Sequence, residues 1–379
     1  MPRALVVCEF ASLNGGERSL LAVLPHLQQA GWLFDFLAPT AGPLADELRR
    51  RGIDNVATTD WEPQCRSRPE QIVAAVRSRR YDLVHANSLS TAVLLGSVAA
   101  ELALPTIGHL RDIVRLSAAK IAALNGNTRL LAVSAATRSH HVAQGLDPAK
   151  SHVLHNGVDL AEFRPRPTGP ARSAAADIRR ELGLPPESQL IAIVGQIILR
   201  KGQDVALKAV AGAMRDSVER YPLIIGVRHS EKQETLAFDQ SLYTIAREFG
   251  IADRMQRLGG RRDVSSLLPQ CSVLVHMARQ EPLGRVLLEA AACGVPIVAT
   301  SIGGTPEIFP RGADDGALLV PVDDVAACSA AVERILSEPD FAARLGQAGR
   351  RRIEEAFSVE TAAAGLLKHY EATVRDGSV

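Results

Sequence analysis

Short apolar runs, separated by polar loops and by longer stretches of helical periodicity, recur along the whole 379-residue chain. The first run, Ala4–Phe10, is bounded by the loop 11–19, after which apolar positions repeat at helical spacing as far as Gly31. A short run of this kind, followed by a helix, fits a strand buried on both faces of a parallel sheet. Further strands are predicted at 33–39, 55–59, 81–88, 105–112, 129–134 and 152–159. The intervening helices are predicted at Pro43–Arg51, Pro69–Arg80, up to Glu101, at Ile113–Leu124 and from Ala135. A second series begins with the strand 190–198 and a helix over 199–213 with Lys201 and Gly202 at its mouth. It continues through 221–227, a polar helix ending at Gly250, 255–264 and 272–277. Repeated βα units predict an α/β chain with doubly wound parallel sheets. Between the series, Pro165–Ala176 is rich in Pro, Gly and Ala without periodicity and reads as linker.

The stretch Val275–Ile308 is the densest in signals. An apolar run stops at polar 278–281, and Pro282 predicts the opening of a helix. Leu283, Val286, Leu287, Ala290 and Ala291 form its apolar stripe, and Gly294 ends it. The strand Pro296–Thr300 follows, then Gly303-Gly304, whose missing Cβ atoms would admit a ligand to the backbone. Two carboxylates, Glu281 and Glu289, stand eight positions apart. On one helix they would lie ~12 Å apart at ~1.5 Å per residue, with Glu281 at the anion-favouring mouth. Either alone reads most simply as a solvated helix carboxylate. Glu289, however, is flanked by Leu287-Leu288 and Ala290-Ala291-Ala292, where a charge calls for a partner or a ligand. A pair at this spacing suits a ligand with hydroxyls at both ends and a phosphate between them, the layout of a nucleotide sugar.

Composition narrows the classes. The length fits two domains, each with its own core. The 43 basic and 42 acidic residues leave a charge of +1, which argues against a nucleic-acid partner. Five cysteines without a Cys-x-x-Cys pair fit reduced thiols, with Cys8, Cys271 and Cys293 beside apolar runs. No run of ~18 apolar residues occurs, and Arg3–Phe10 is too short for a signal peptide. The cytoplasm is the expected compartment, with the inner membrane face as a further expected place of contact.

The loop after the first strand carries Gly15-Gly16, a strand–glycine–helix turn of the kind that brings bare backbone to a diphosphate, or an ordinary βα turn. Glu17 falls in the first helical turn. His85 and His109 end strands, where ligands of open α/β sheets bind. Both point at the cleft, His85 reading more simply as a packed, hydrogen-bonded histidine, and Arg111 and Asp112 beside His109 either touch an acceptor or pair together. No Asp-x-Asp occurs; Asp314-Asp315 and Asp323-Asp324 read as solvated turn residues, and no metal site is expected.

The ordered set Glu281, seven residues, Glu289, then A-x-x-C-G-V-P-I-V-A-T and G-G-x-x-E resembles the donor-binding segment of the retaining glycosyltransferases of the GT-B fold, family 4. The resemblance covers almost the whole chain. It implies two Rossmann-like domains facing a central cleft: 1–165 on the acceptor side, a linker over 166–188, a nucleotide-sugar domain over 189–356, and a terminal helix, 357–379, crossing back to the first domain. His109, Lys201 and Glu281 would be catalytic, with His109 near the sugar C6 and Glu281 on the sugar hydroxyls. Gly15, Gly16, Gln196, Gly284, Arg285, Val286 and Glu289 would bind the donor, Glu289 through the ribose. The family pattern G-R, four residues, K-G is matched by Gly195, Lys201 and Gly202, but Gln196 stands where the family has arginine, with Arg200 as a candidate substitute.

The expected activity is metal-independent, retaining transfer from a nucleotide-diphosphate sugar to a glycan, lipid-linked or small-molecule acceptor, with no cofactor beyond the donor itself. The alternative is a non-catalytic nucleotide-sugar-binding relative, which Gln196 favours. The absence of G-x-G-x-x-G after Phe10 or Ile198 argues against a nicotinamide oxidoreductase.

Overall fold

The structure is a computed structural model that describes residues 1–56, 68–166, 177–215, 217 and 219–376. The predicted strand 55–59 lies mostly, and the stretch 167–176 wholly, outside the described residues; Asn55 forms one parallel bridge to Phe36. The chain divides into two compact units, Met1–Gly157 with Val359–Val379, and Val158–Ser358.

In the first unit, β1 (Arg3–Val7), β2 (Leu33–Leu37), β3 (Leu83–Ala86), β4 (Thr106–Leu110), β5 (Arg129–Ala132) and β6 (Ser151–Val153) form one parallel sheet. Their spatial order is β2-β1-β3-β4-β5-β6. Alternation along β1 sends Leu5 and Val7 to one core and Ala4 and Val6 to the other, so both faces are apolar and the strand has no polar side. Burying each large aliphatic side chain contributes ~1.5–3 kcal/mol. The helix Gly15–Gln29 packs on the second face together with the last helix, Val359–Asp376. That helix supplies Ala363, Leu366 and Tyr370; the Tyr370 ring meets Trp32 edge-on at 4.8 Å, and its hydroxyl bonds His85 Nδ1 at 2.7 Å.

In the second unit, β7 (Gln189–Val194), β8 (Arg220–Ile225), β9 (Gln256–Gly259), β10 (Val273–His276), β11 (Ile297–Thr300) and β12 (Ala317–Val320) run in parallel in the order β12-β11-β10-β7-β8-β9. Strand order reverses between β1 and β3 and between β7 and β10. At such switch points the loops diverge and open a crevice beyond the strand ends.

Several boundaries depart from the predicted pattern, each for a local reason. The helix expected from Ile113 starts at Ala118, where the Ser117 hydroxyl accepts from Lys120 N–H. The helix expected over 199–213 starts at Gln203, because Leu199–Lys201 is a single 3₁₀ turn closed by Gly202 at φ +63°. The expected linker contains a helical turn, Ile178–Glu181, capped by Asp177. Its buried Arg179 donates to Ser188 O and Gln270 O at 2.9 and 3.1 Å, so this part belongs to the second unit. That unit begins at Val158, whose N–H donates to Phe357 O at 2.9 Å.

Candidate active site

The β7–β10 switch point of the second unit holds a buried charged cluster. β10 ends at His276, and the loop behind it carries Glu281, 4% exposed. Glu281 Oε2 lies 2.5 Å from Lys201 Nζ and 2.7 Å from His276 Nε2. Burial pushes the Glu281 carboxyl up, but the Lys201 charge and the His276 hydrogen bond outweigh it and hold the group well below the usual carboxylate range. Burial pushes His276 down, against the pull of Glu281, so the ring is neutral and donates from Nε2. Glu281 Oε1 accepts from none of the described residues.

Backbone geometry brings these groups together. A Cβ at Gly202 would overlap the Met277 carbonyl, so only glycine lets the Lys201 turn close on the end of β10. Arg279 bolts the two loops together: its guanidinium bonds Asp204 at 2.7 and 2.9 Å, Asp323 at 2.7 Å and Leu199 O at 2.8 Å. Its N–H donates to Arg200 O at 2.8 Å, while the Arg200 guanidinium has no ion-pair partner among the described residues. Gly303-Gly304 serves the same loop. A Cβ on Gly303 would overlap Glu281 O, and Gly304 N–H donates to that oxygen at 3.0 Å. The expectation that these glycines open the backbone to a ligand is therefore corrected: the backbone they admit is that of the Glu281 loop.

The predicted helix start at Pro282 is also corrected. Gly284 takes φ +103°, breaks the chain direction, and the helix runs only over Arg285–Ala292. Glu281 lies before it in a loop, so the ~12 Å spacing expected for a continuous helix does not apply. Glu289 has its partner on the same helix, Arg285 Nε at 2.6 Å, one turn away. The cap residue of this helix is Gly284, which has no side chain to bond the first N–H groups of Arg285 and Val286. Gln196 is half-buried after β7, and its carbonyl accepts from Gln203 Nε2 at 2.8 Å.

In the first unit, Gly15 begins the helix Gly15–Gln29, with Asn14 as its cap residue and Gly16 beside Arg111. A Cβ on Gly16 would stand 3.0 Å from Arg111 Cδ. Arg111 donates to Asn87 O and Oδ1 at 2.9 Å each and to Asn156 Oδ1 at 2.7 Å. Its Nη2 also lies 3.1 Å from His109 Nδ1. Burial, then the Arg111 charge, push His109 well down, so its ring is neutral, with Nδ1 accepting and the proton on Nε2. That Nε2 is buried with no partner among the described residues, and His109 and Arg111 line a small cavity with Ser19, Leu154, Asn156 and Leu366. His85 is pushed down to about 3 by burial and packs against Tyr370 and His109, in line with the structural reading. Glu17 is 3% exposed and raised by burial, against the N–H groups of its own turn.

Among the described residues, no group of three or more His, Cys, Asp or Glu side chains is placed to hold a metal ion. Asp315, expected to be solvated, is buried and held by Arg311 at 2.6 Å. Asp324 caps the helix Val325–Ser337. His276 is the residue that the pattern analysis passed over. It sits inside an apolar run at a strand end, the same signal that singled out His85 and His109.

The family model for "Glycosyl transferases group 1" matches residues 175–352, and that for "Glycosyltransferase Family 4" matches 13–162. The chain belongs to glycosyltransferase family 4. The D-inositol 3-phosphate glycosyltransferase of Streptomyces griseus is 29% identical over 333 residues, 81% of this chain and 70% of that protein. The protein of the same name from Streptomyces scabiei is 34% identical over 233 residues, 61% of this chain and 50% of that one. The chain spans about half the length of five relatives of this name. Anabaena HepE, solved in complex with UDP-glucose, superposes with a TM-score of 0.83 at 20% identity, covering 98% of this chain and 99% of that one. The fold is GT-B, with two Rossmann-like parallel-sheet units. Among the described residues, no helix is long and apolar enough to cross a membrane.

Proposed function

We propose that this family 4 member transfers a sugar, with retention of anomeric configuration, from a nucleotide-diphosphate sugar to an acceptor hydroxyl. The carrying observation is the buried Glu281 carboxylate, ionised and fixed by Lys201 and His276 at the β7–β10 switch point, with one oxygen left to accept. A carboxylate in this state accepts hydrogen bonds from sugar hydroxyls. Lys201 and the glycine-capped start of the helix Arg285–Ala292 receive the diphosphate, and the partly buried Glu289 takes the ribose hydroxyls. In the first unit, the neutral His109 keeps an Nε2 proton that no described residue accepts, a donor available to a hydroxyl. In the second unit Gln196 follows β7 on the phosphate side, and in the first unit Gly15 and Gly16 offer bare backbone at a helix start. The leaving charge falls on these donors rather than on a divalent ion, since the carboxylates tied to these loops, Asp204 and Asp323, are already bound to Arg279.

Relatives named for D-inositol 3-phosphate and a fold neighbour bound to UDP-glucose support a nucleotide-hexose donor and a polyol or glycan acceptor. We place the reaction in a reducing compartment such as the cytoplasm, in keeping with the buried free thiols Cys8, Cys271, Cys293 and Cys328. The test is a matrix of UDP-, GDP- and ADP-sugars against D-inositol 3-phosphate and glycan acceptors in EDTA, followed by NMR of the product anomer. Transfer giving the donor's anomeric configuration supports the reading. Binding of nucleotide sugar without turnover on any acceptor would favour the non-catalytic alternative, to which Gln196 lends weight.

A further inference from the structure

We propose that His276 is a positioning residue, which keeps the Glu281 carboxylate aimed at the donor sugar when Lys201 turns to the diphosphate. The proposal rests on the donor site described above and deepens it, separating the part of His276 from that of Lys201. Both nitrogen donors now converge on one oxygen of Glu281, Lys201 at 2.5 Å and His276 at 2.7 Å. They are not equivalent. Lys201 is a compact cation on a flexible stem, and an arriving diphosphate competes with Glu281 for its charge. His276 is 3% exposed at the end of β10, with two side-chain torsions and a neutral ring, and nothing anionic draws it away. Once Lys201 is shared, Glu281 would be a buried carboxylate without an undivided partner, free to rotate or take up a proton. The His276 Nε2–H holds Oε2 in place and leaves Oε1 for the sugar hydroxyls.

The readout is the ratio of nucleotide-sugar to nucleoside-diphosphate affinity, measured by calorimetry beside kcat/KM for transfer. UDP-glucose and UDP are the first probe pair, replaced by the matching GDP or ADP pair where the wild type prefers it. His276→Asn places an amide where the ring Nδ1 lies and withdraws the donor from Glu281, whereas His276→Gln reaches to the Nε2 position. His276→Asn should lower that ratio, and kcat/KM with it, by ~10–100-fold, the range for losing a hydrogen bond to a charged group. Affinity for the nucleoside diphosphate alone should stay within ~3-fold of wild type, because the nucleotide meets other groups. His276→Gln should recover most of the loss. In a Glu281→Gln background, His276→Asn should add nearly nothing, since the two act as one unit. An unchanged ratio in His276→Asn, an equal loss of nucleotide and nucleotide-sugar affinity, or additive losses in the double variant would each overturn the role. A wild type that binds nucleotide sugar but transfers nothing would refute the proposed activity, while the affinity ratio still decides the role of His276.

Discussion

Replacing Lys201 with methionine keeps the side-chain volume and removes the charge opposite a buried carboxylate. In the native pair the side chains are 15% and 6% exposed, so solvent screens little of the interaction. Breaking a buried pair from one side costs ~3–5 kcal/mol, because the other charge is stranded. His276 still donates to the same oxygen, which points to the lower end of that range. For a unit of about 200 residues, a loss of ~3 kcal/mol lowers the melting temperature by ~6–12 °C. The sign of the pH dependence is the sharper test. In the native protein Glu281 is held below its ordinary value, so its stabilising contribution is present above the unfolded pKa of ~4.3 and is lost as pH falls through the lowered folded value. Without Lys201, the upward push of burial prevails, and Glu281 binds its proton more tightly folded than unfolded. The variant should then lose stability as pH rises above ~4.3. The gap between wild type and Lys201→Met therefore widens from pH 5 to pH 8. Urea unfolding at the two pH values, followed by circular dichroism, checks this. A gap that is constant across the range, or smaller than ~0.5 kcal/mol, would refute the claim that Lys201 holds Glu281 ionised.

Three other outcomes follow from the geometry. Gly303→Ala puts a Cβ against the Glu281 carbonyl at φ +58°, and should cost ~10-fold or more in kcat/KM through displacement of that loop; wild-type kinetics in the variant would refute it. Gln196→Arg adds a fork-shaped cation near Lys201 and should tighten nucleoside-diphosphate binding in calorimetry, whereas Arg200→Ala should not weaken it; weaker binding in both would show that Arg200 already fills the arginine's place. Tyr370→Phe leaves buried His85 Nδ1 without its 2.7 Å partner and should destabilise the first unit by ~1–3 kcal/mol in urea unfolding, with donor binding unchanged.

The strands were legible because parallel sheets covered on both faces need unbroken apolar runs, and Ala4–Val7 or Val273–Val275 can hardly fold otherwise. Lys201, Glu281 and Glu289 were legible as a spaced set. Their pairing was not. That Glu289 answers Arg285 rather than standing open depends on where the helix begins, and this depends on the sign of φ at Gly284, which the pattern of apolar residues does not encode. The service of Gly303-Gly304 to the Glu281 loop is a contact across some twenty residues, and a local reading assigned their bareness to a ligand instead. His276 ends a strand as His85 and His109 do and was passed over; what a strand end does not encode is its partner Glu281, five positions on, which folds back over it.

The most direct measurement is the anomeric proton resonance of the product, followed by NMR in EDTA, for wild type and Glu281→Gln with the nucleotide sugar that binds most tightly. The account predicts a product with the donor's anomeric configuration from wild type. From Glu281→Gln it predicts transfer slower by ~10-fold or more, with nucleotide affinity little changed, because an amide accepts sugar hydroxyls without the carboxylate's charge. An inverted product, a dependence on added divalent ion, or an unimpaired Glu281→Gln variant would contradict it.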